Sequence, residues 1–159
     1  MRLCCRTQLI LALAVETLLK ILVFVKFAAT YMLDTNICIY VMKAYPPALR
    51  EKFNELAEQL CISSITLGEL HYGAEMSARR VENLTAIEHF VARLEVLPFA
   101  EKAAAHYGQV RAELERAGTP CGPHDMQIGG HARSDGLIVV TNNMREFARV
   151  AGVRAENWL

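Results

Sequence analysis

The sequence predicts an α/β domain built on a mostly parallel sheet. Two patterns support this prediction. From about Thr30 onward, short apolar runs alternate with segments of helical periodicity, and residues 137–140 form a continuous apolar run typical of a strand buried on both faces. The size agrees, because 159 residues of which 53% are hydrophobic suit one compact domain and are incompatible with a disordered chain.

The first half of the chain predicts two strands and three helices. An apolar run that ends at Asp34 indicates a buried strand, after which Asp34 or Thr35 caps a helix. Pro46 and Pro47 begin a second helix, whose apolar residues recur at spacings of three and four. The predicted strands span 31–33 and 60–63, and the helices span 35–42, 46–60 and 65–76, the last capped by Ser64 or Thr66.

The second half of the chain continues the alternation of strands and helices. A loop with two glycines and two prolines, GTPCGP, delivers His124 and Asp125 to the start of a helix. The segment Thr141-Asn142-Asn143 leaves the strong apolar strand. The other predicted helices cover 81–94, 101–116 and the segment around Phe147, and the strands cover 96–99 and 137–140.

The charge balance excludes a protein that holds nucleic acid through bulk positive charge. Basic and acidic residues number 17 each, so the formal net charge is zero. The first 31 residues hold four basic side chains and one acid, which leaves 13 basic and 16 acidic residues in the remainder. A domain of this mildly acidic character needs metal ions to mask its own carboxylates if it acts on a polyanion.

The five cysteines indicate a reducing cytoplasm rather than a disulfide or zinc framework. Their number is odd, and neither a C-x-x-C pair nor a Cys/His cluster at zinc spacing is present. Cys38 and Cys61 lie in apolar runs, where we expect buried free thiols.

Residues 1–31 differ in character from the rest. They are apolar but contain Glu16 and two lysines, and centrally placed charges are unfavourable in a membrane span. A basic start followed by an apolar run also resembles a secretory signal. We expect a domain of 32–159 whose natural start is Met32, preceded by an extension translated from upstream sequence. An added apolar helix and a membrane or export signal are the alternatives.

Four polar positions stand apart from the solvated helical faces. Asp34 ends the first strand, Glu69 lies about one turn into the helix after the second strand, and Asp125 opens a helix. Asn143, with Glu146 one turn further on, follows the strong apolar strand. Each has a local explanation as a helix cap or a first-turn acid. The carboxyl ends of parallel strands meet at one edge of a sheet, however, so we expect these groups to converge there.

Four sequence blocks resemble the motifs of the VapC-type PIN-domain toxins. They occur in the order MLDTNICIY, SSITLGELHYGAE, AGTPCGPHDMQIGGHA and GLIVVTNNMREF, at 32–40, 63–75, 117–132 and 136–147. The resemblance runs from about Met32 to Trp158. It implies a PIN-domain fold with a five-stranded, mostly parallel sheet flanked by helices in three layers. It also implies a metal-dependent endoribonuclease, the toxin of a type II toxin–antitoxin pair.

The resemblance also assigns roles to the residues of the site. Asp34, Glu69, Asp125 and Asn143 match the family's catalytic positions, although Asn143 places a neutral amide where many members have a fourth acid. The implied roles are Asp34 and Asp125 as direct metal ligands and Glu69 as a ligand or water-orienting base. Further candidates are Glu146 as a carboxylate acting through water, and Thr141 and Asn36 as substrate-positioning groups. Apart from the resemblance, the sequence offers two histidines as weaker candidates: His124, next to Asp125, for contact with the substrate, and His131, further along the same helix, at the border of the site.

The implied cofactor is Mg²⁺, with Mn²⁺ as a substitute, because both ions prefer oxygen ligands. The implied partners are a structured RNA, transfer RNA above all, a cognate VapB-type antitoxin and a second copy of the chain in a homodimer. No membrane association is expected. We expect the antitoxin to place an amphipathic segment in a groove supplied by the helices around residues 36–60.

Two other functions compete with the ribonuclease. A non-catalytic PIN-fold binding module is compatible with Asn143 and the acidic domain, but the three acids at the other positions speak against it. A receiver-like signalling domain requires a lysine after a late strand, and residues 137–147 contain none.

Overall fold

The computed structural model describes residues 29–159, so the predicted extension lies almost entirely outside the described residues. Over this range the chain forms five strands and seven α-helices. In chain order they are β1 (Tyr31–Leu33), α1 (Thr35–Met42), α2 (Pro47–Glu55), β2 (Leu60–Ser63), α3 (Ser64–Glu75), α4 (Arg80–Val91), β3 (Glu95–Leu97), α5 (Glu101–Arg116), α6 (Pro123–Asp135), β4 (Ile138–Val140), α7 (Met144–Phe147) and β5 (Arg154–Glu156). Within residues 29–159, no helix is both long and apolar enough to cross a membrane.

All strand pairs of the five-stranded sheet are parallel, in the order β3-β2-β1-β4-β5. The central strand β1 pairs with β2 and β4, and Met32 lies opposite Cys61 on one side and Val139 on the other. The pairing begins before Met32, since the Thr30 N–H donates to Gln59 and its carbonyl accepts from Ile138. This order places the carboxyl ends of β1, β2 and β4 side by side.

The apolar residues of the strands alternate between two faces, which creates the three layers. Met32, Cys61 and Val139 face one side, where they pack with residues of α6 and Phe147 of α7. Leu33, Ile62 and Val140 face the other side, together with apolar residues of α1, α2, α3 and α4. The fifth helix, α5, lies against α6 and buries Val110 and Leu114 with Met126. The predicted PIN-type fold is confirmed, with both faces of the sheet covered.

A close approach of α5 and α6 depends on Gly130. A Cβ atom at this position would lie 2.8 Å from backbone atoms of Tyr107, a distance that real side chains do not adopt. Gly130, in the middle of α6, therefore serves helix packing. The packing fixes the tilt of α6, the helix that carries Asp125 in its first turn.

The structure corrects several predicted boundaries. The second helix ends at Glu55 rather than near residue 60, because a short 3₁₀ turn at 57–59 leads directly into β2. The cap of α3 is Ser63, whose hydroxyl oxygen accepts from the N–H of Ile65, and neither Ser64 nor Thr66 holds that position. Residue periodicity alone did not reveal β5, since its three residues include two charged side chains at the sheet edge.

Candidate active site

The predicted site residues follow the carboxyl ends of the central strands. Asp34 comes directly after β1 and caps α1 in an extended conformation, with φ −75° and ψ 157°. Glu69 lies on α3, which leaves β2, and Thr141 follows β4. Asp125 lies in the first turn of α6. The loop between α5 and α6 brings Asp125 to the same edge of the sheet. The negative charges of Asp34 and Glu69 raise the pKa of Asp125.

Asp34 is the most enclosed acid of the site, with 3% of its surface exposed. Its Oδ1 accepts from the N–H of Thr35 at 2.7 Å. Its Oδ2 accepts from the Thr141 hydroxyl at 2.7 Å and from the Asn36 amide at 2.6 Å. Burial raises the pKa of Asp34, and the Glu69 charge adds to the rise, while these hydrogen bonds oppose it. The carboxylate is thus held in one orientation by three donors.

Glu69 is held by groups from two other helices. The Thr35 hydroxyl of α1 donates to Oε2, and Nδ1 of His124 on α6 lies 2.7 Å from Oε1. The Glu69 side chain keeps 27% of its surface exposed. His124, expected to contact substrate, therefore touches a predicted acid in this structure. His131 instead lies buried against the Ser63 hydroxyl at 2.9 Å.

Asp125 and Asn143 form a direct pair. The Asn143 amide donates to Asp125 Oδ2 at 3.2 Å. Burial raises the pKa of Asp125 to about 6, and the negative charges of Asp34, Glu69 and Glu146 contribute to the rise. The neutral residue at the fourth position thus supplies a hydrogen-bond donor to an acid. Glu146, one of the acids that raise the pKa of Asp125, forms an ion pair with Arg149, whose Nη1 lies 3.3 Å from Oε2 of Glu146.

Thr141 connects the first and fourth positions of the site. Its hydroxyl donates to Asp34 and accepts from the backbone N–H of Asn143 at 2.9 Å and from the Asn36 amide at 3.2 Å. The Asn36 oxygen accepts from the N–H of Asn142 at 3.2 Å. Thr141 and Asn36, predicted to position substrate, therefore bond to Asp34 and to the loop after β4 in this structure.

The donor set consists of oxygen atoms that suit a hard divalent cation. The acids do not form a closed cage, however. Within residues 29–159, no three His, Cys, Asp or Glu side chains are close enough together to hold a metal ion. Each acid instead binds a protein donor, which is the arrangement expected of carboxylates that repel one another. An ion that keeps several of its own waters is compatible with such an open set. The residues therefore fit Mg²⁺ or Mn²⁺ by chemistry, and their metal-binding role stays a prediction.

A groove of about 350 Å³ lies beside Glu69, between α1, α3 and α4. Its walls are mainly apolar, with Glu69 at one position and Lys43 at another. Part of this groove comes from the region around residues 36–60, which we expect to supply the groove for the antitoxin. Ile39 and Met42 of α1 and the following Lys43 line it, and the other lining residues belong to α3 and α4.

The parallel sheet of this three-layer domain and the carboxylates near the ends of its central strands define an α/β protein with an acidic candidate site. The family model described as PIN domain matches residues 31–153. The "tRNA(fMet)-specific endonuclease VapC" of Salmonella typhimurium is 56% identical over 128 residues, which cover 80% of this chain and 97% of that protein. "Ribonuclease VapC2" of Haemophilus influenzae is 50% identical over 129 residues, with coverages of 81% and 98%. The chain belongs to the PIN-domain family and, within it, to the VapC-type ribonucleases.

A solved structure agrees with this placement. The crystal structure of DNA-bound VapBC from Salmonella typhimurium contains a chain with 55% sequence identity and a TM-score of 0.80. The match covers 82% of this chain and 99% of that one. VapBC2 from Rickettsia felis, also bound to a DNA fragment, matches with a TM-score of 0.78 at 38% identity and coverages of 82% and 99%.

Proposed function

We propose that this protein is the toxin of a VapBC-type pair, a divalent-metal-dependent endoribonuclease that cleaves structured RNA, most specifically a transfer RNA. The observation that carries the proposal is the meeting of three acids at one sheet edge. Thr35 bonds to both Asp34 and Glu69. Asn143 bonds to Asp125 and, through its backbone N–H, to Thr141, which in turn donates to Asp34. The name of the Salmonella relative, a tRNA(fMet)-specific endonuclease, supports initiator transfer RNA as the first substrate to test.

The residues proposed to hold Mg²⁺, or Mn²⁺ in its place, are Asp34 and Asp125 directly, Glu69 directly or through water, and Glu146 through water. When bound, the ion supplies positive charge that offsets carboxylate repulsion, lowers the pKa of water and stabilises charge on the scissile phosphate. The protein contributes the negatively charged carboxylates that would hold this ion. Their mutual repulsion, expressed in the raised pKa of Asp125, is relieved by a cation.

The surrounding polar residues keep the acids in position. Three donors fix Asp34, so this carboxylate loses little freedom when it binds a cation. The Thr35 hydroxyl orients Glu69, and the Asn143 amide orients Asp125. We propose that these groups organise the site to receive an RNA phosphate. Because the phosphate and the acids are both negatively charged, a cation between them would be needed to offset their repulsion.

We propose that a VapB-type antitoxin silences the toxin by placing an apolar segment in the groove between α1, α3 and α4. Support comes from the groove's mainly apolar lining and from the presence of Glu69 in its wall, so that an occupant lies next to this acid. The titles of the matching structures name VapBC complexes. A homodimer also stays a prediction, which light scattering on the purified chain would check.

The proposed compartment is the cytoplasm, where transfer RNA is found. The thiols of the described residues support this placement, since Cys38, Cys61 and Cys121 are all free.

Cleavage of purified initiator transfer RNA and of total RNA, each with Mg²⁺, Mn²⁺ or EDTA, tests the function. We expect cutting with either ion and none with EDTA. Asp34→Asn keeps the shape of the side chain but removes its charge, and we expect it to lower cleavage by at least about 100-fold. The control Glu88→Gln changes an exposed acid on α4 and is expected to cleave like the wild type.

Folding of each variant is followed by the fluorescence of Trp158, the single tryptophan of the chain. Wild-type rates in Asp34→Asn would refute the proposed site. A folded wild-type protein that binds RNA without cutting it under any of these conditions would favour the non-catalytic binding module.

A further inference from the structure

We propose that His124 is a positioning residue of the cleavage site, which fixes the orientation of the Glu69 carboxylate for the cation. This inference rests on the proposed function, since it concerns the same acids. His124 is next to Asp125 in the sequence, but its side chain contacts Glu69. The inference gives this contact a role.

The geometry of the contact points to orientation. Nδ1 of His124 lies 2.7 Å from Oε1 of Glu69. Since an ionised carboxylate only accepts hydrogen bonds, Nδ1 carries the hydrogen and donates it. The other oxygen, Oε2, accepts from the Thr35 hydroxyl. Both carboxylate oxygens are therefore held, by groups from helices other than the one that carries Glu69.

Two donors leave the carboxylate able to bind further. A carboxylate offers about four lone-pair positions, so one bond at each oxygen leaves about one free position at each. The two bonds stop rotation of the group, whereas the free positions remain available to a cation or its waters. Outer groups of this kind commonly change metal affinity by about 10- to 100-fold when they are removed.

The position of His124 in the chain couples two acids. His124 and Asp125 are consecutive residues in the first turn of α6, which begins at Pro123. The turn that presents Asp125 therefore also binds Glu69 of α3. Asp125 is in turn bonded to Asn143. The imidazole thus sets the spacing between the acid of α3 and the acid of α6.

A direct contact of His124 with RNA is the competing interpretation. The two roles predict different effects of a His124 substitution on metal binding, kcat and KM. The Nδ1 atom is already engaged by Glu69, although the side chain keeps 58% of its surface exposed. A positioning role predicts weaker metal binding in the absence of RNA and a lower kcat at a nearly constant KM. A substrate contact predicts a higher KM and unchanged metal binding.

The test measures Mn²⁺ binding to the RNA-free protein, by electron paramagnetic resonance of the free ion, for three variants. His124→Ala removes the donor. His124→Asn retains a donor, because the asparagine amide nitrogen is the same number of bonds from Cβ as Nδ1. His89→Ala, at an exposed histidine on α4, is the matched control. Trp158 fluorescence on thermal unfolding verifies that each variant is folded.

We expect His124→Ala to weaken Mn²⁺ binding about tenfold, the lower end of the usual range because the pair is partly exposed. His124→Asn is expected to lie within about threefold of the wild type, and His89→Ala to match it. Wild-type Mn²⁺ affinity in folded His124→Ala, no recovery in His124→Asn, or a raised KM with unchanged kcat would each overturn the inference while leaving the ribonuclease intact. A wild-type protein that neither binds Mn²⁺ nor cleaves RNA would overturn the proposed function itself.

Discussion

Replacing Asp125 with asparagine should make the metal-free protein more stable at neutral pH. Burial and three neighbouring carboxylates raise the pKa of Asp125 to about 6, above the ordinary value of 3.8 for an aspartate. The folded state therefore binds the proton more tightly than the unfolded state. The ionised carboxylate destabilises the fold above about pH 6, and this penalty disappears as the pH falls toward 3.8. Asparagine removes the charge and can still accept from the Asn143 amide.

The size of the gain follows from the pKa. A rise to about 6 corresponds to about 3 kcal/mol if the whole shift acts on stability. The side chain is only partly buried, so we expect about 1–2 kcal/mol, or about 3–8 °C in Tm at this chain length.

The assay is thermal unfolding followed by Trp158 fluorescence in EDTA, at pH 8 and pH 4.5. Asp125→Asn should unfold at a higher temperature than the wild type at pH 8, with most of the difference lost at pH 4.5. The exposed Glu88→Gln should show the same small difference at both values. Equal stability of Asp125→Asn and wild type at pH 8, or a gain that does not depend on pH, would refute the repulsion argument.

Three further variants test the packing of α5 on α6 and the role of Asn143 at the fourth position of the site. Gly130→Ala should lower the free energy of unfolding in urea by about 1–3 kcal/mol, because its Cβ meets the Tyr107 backbone. Gly108→Ala, with open space around the new methyl group, should raise that free energy by about 0.5–1 kcal/mol, and a neutral Gly130→Ala would contradict the packing. Asn143→Asp replaces a donor to Asp125 with a carboxylate, so it should lower Tm in EDTA by more than in Mn²⁺. Equal Tm losses with and without Mn²⁺ would show that the fourth position does not sense the cation.

The central strands were predictable because they are short, apolar and followed by polar residues. The order of Asp34, Glu69 and Asp125 along the chain, combined with the rule that parallel strands end at one edge, was sufficient to expect that they meet. Helix 101–116 was predicted with its observed bounds, because alanine-rich composition and a following glycine leave little ambiguity.

Side-chain partners and edge elements were not predictable to the same degree. A three-residue strand with two charged side chains, β5, carries no hydrophobic period. The contact between His124 and Glu69 joins residues 55 positions apart, and only adjacency to Asp125 hinted at it. His131 has polar neighbours in sequence but lies buried with Ser63, because the register of α6 turns it toward the sheet.

The pairing of β1 with β4 has a consequence for the timing of activity during synthesis. The bond between Asp34 and Thr141 spans 107 residues, and the Thr141 N–H in turn donates to Glu156 near the end of the chain. A nascent polypeptide therefore carries its first acid long before the partners that fix it have been translated. The candidate site is therefore assembled only after the segment from Thr141 to Glu156 has been translated.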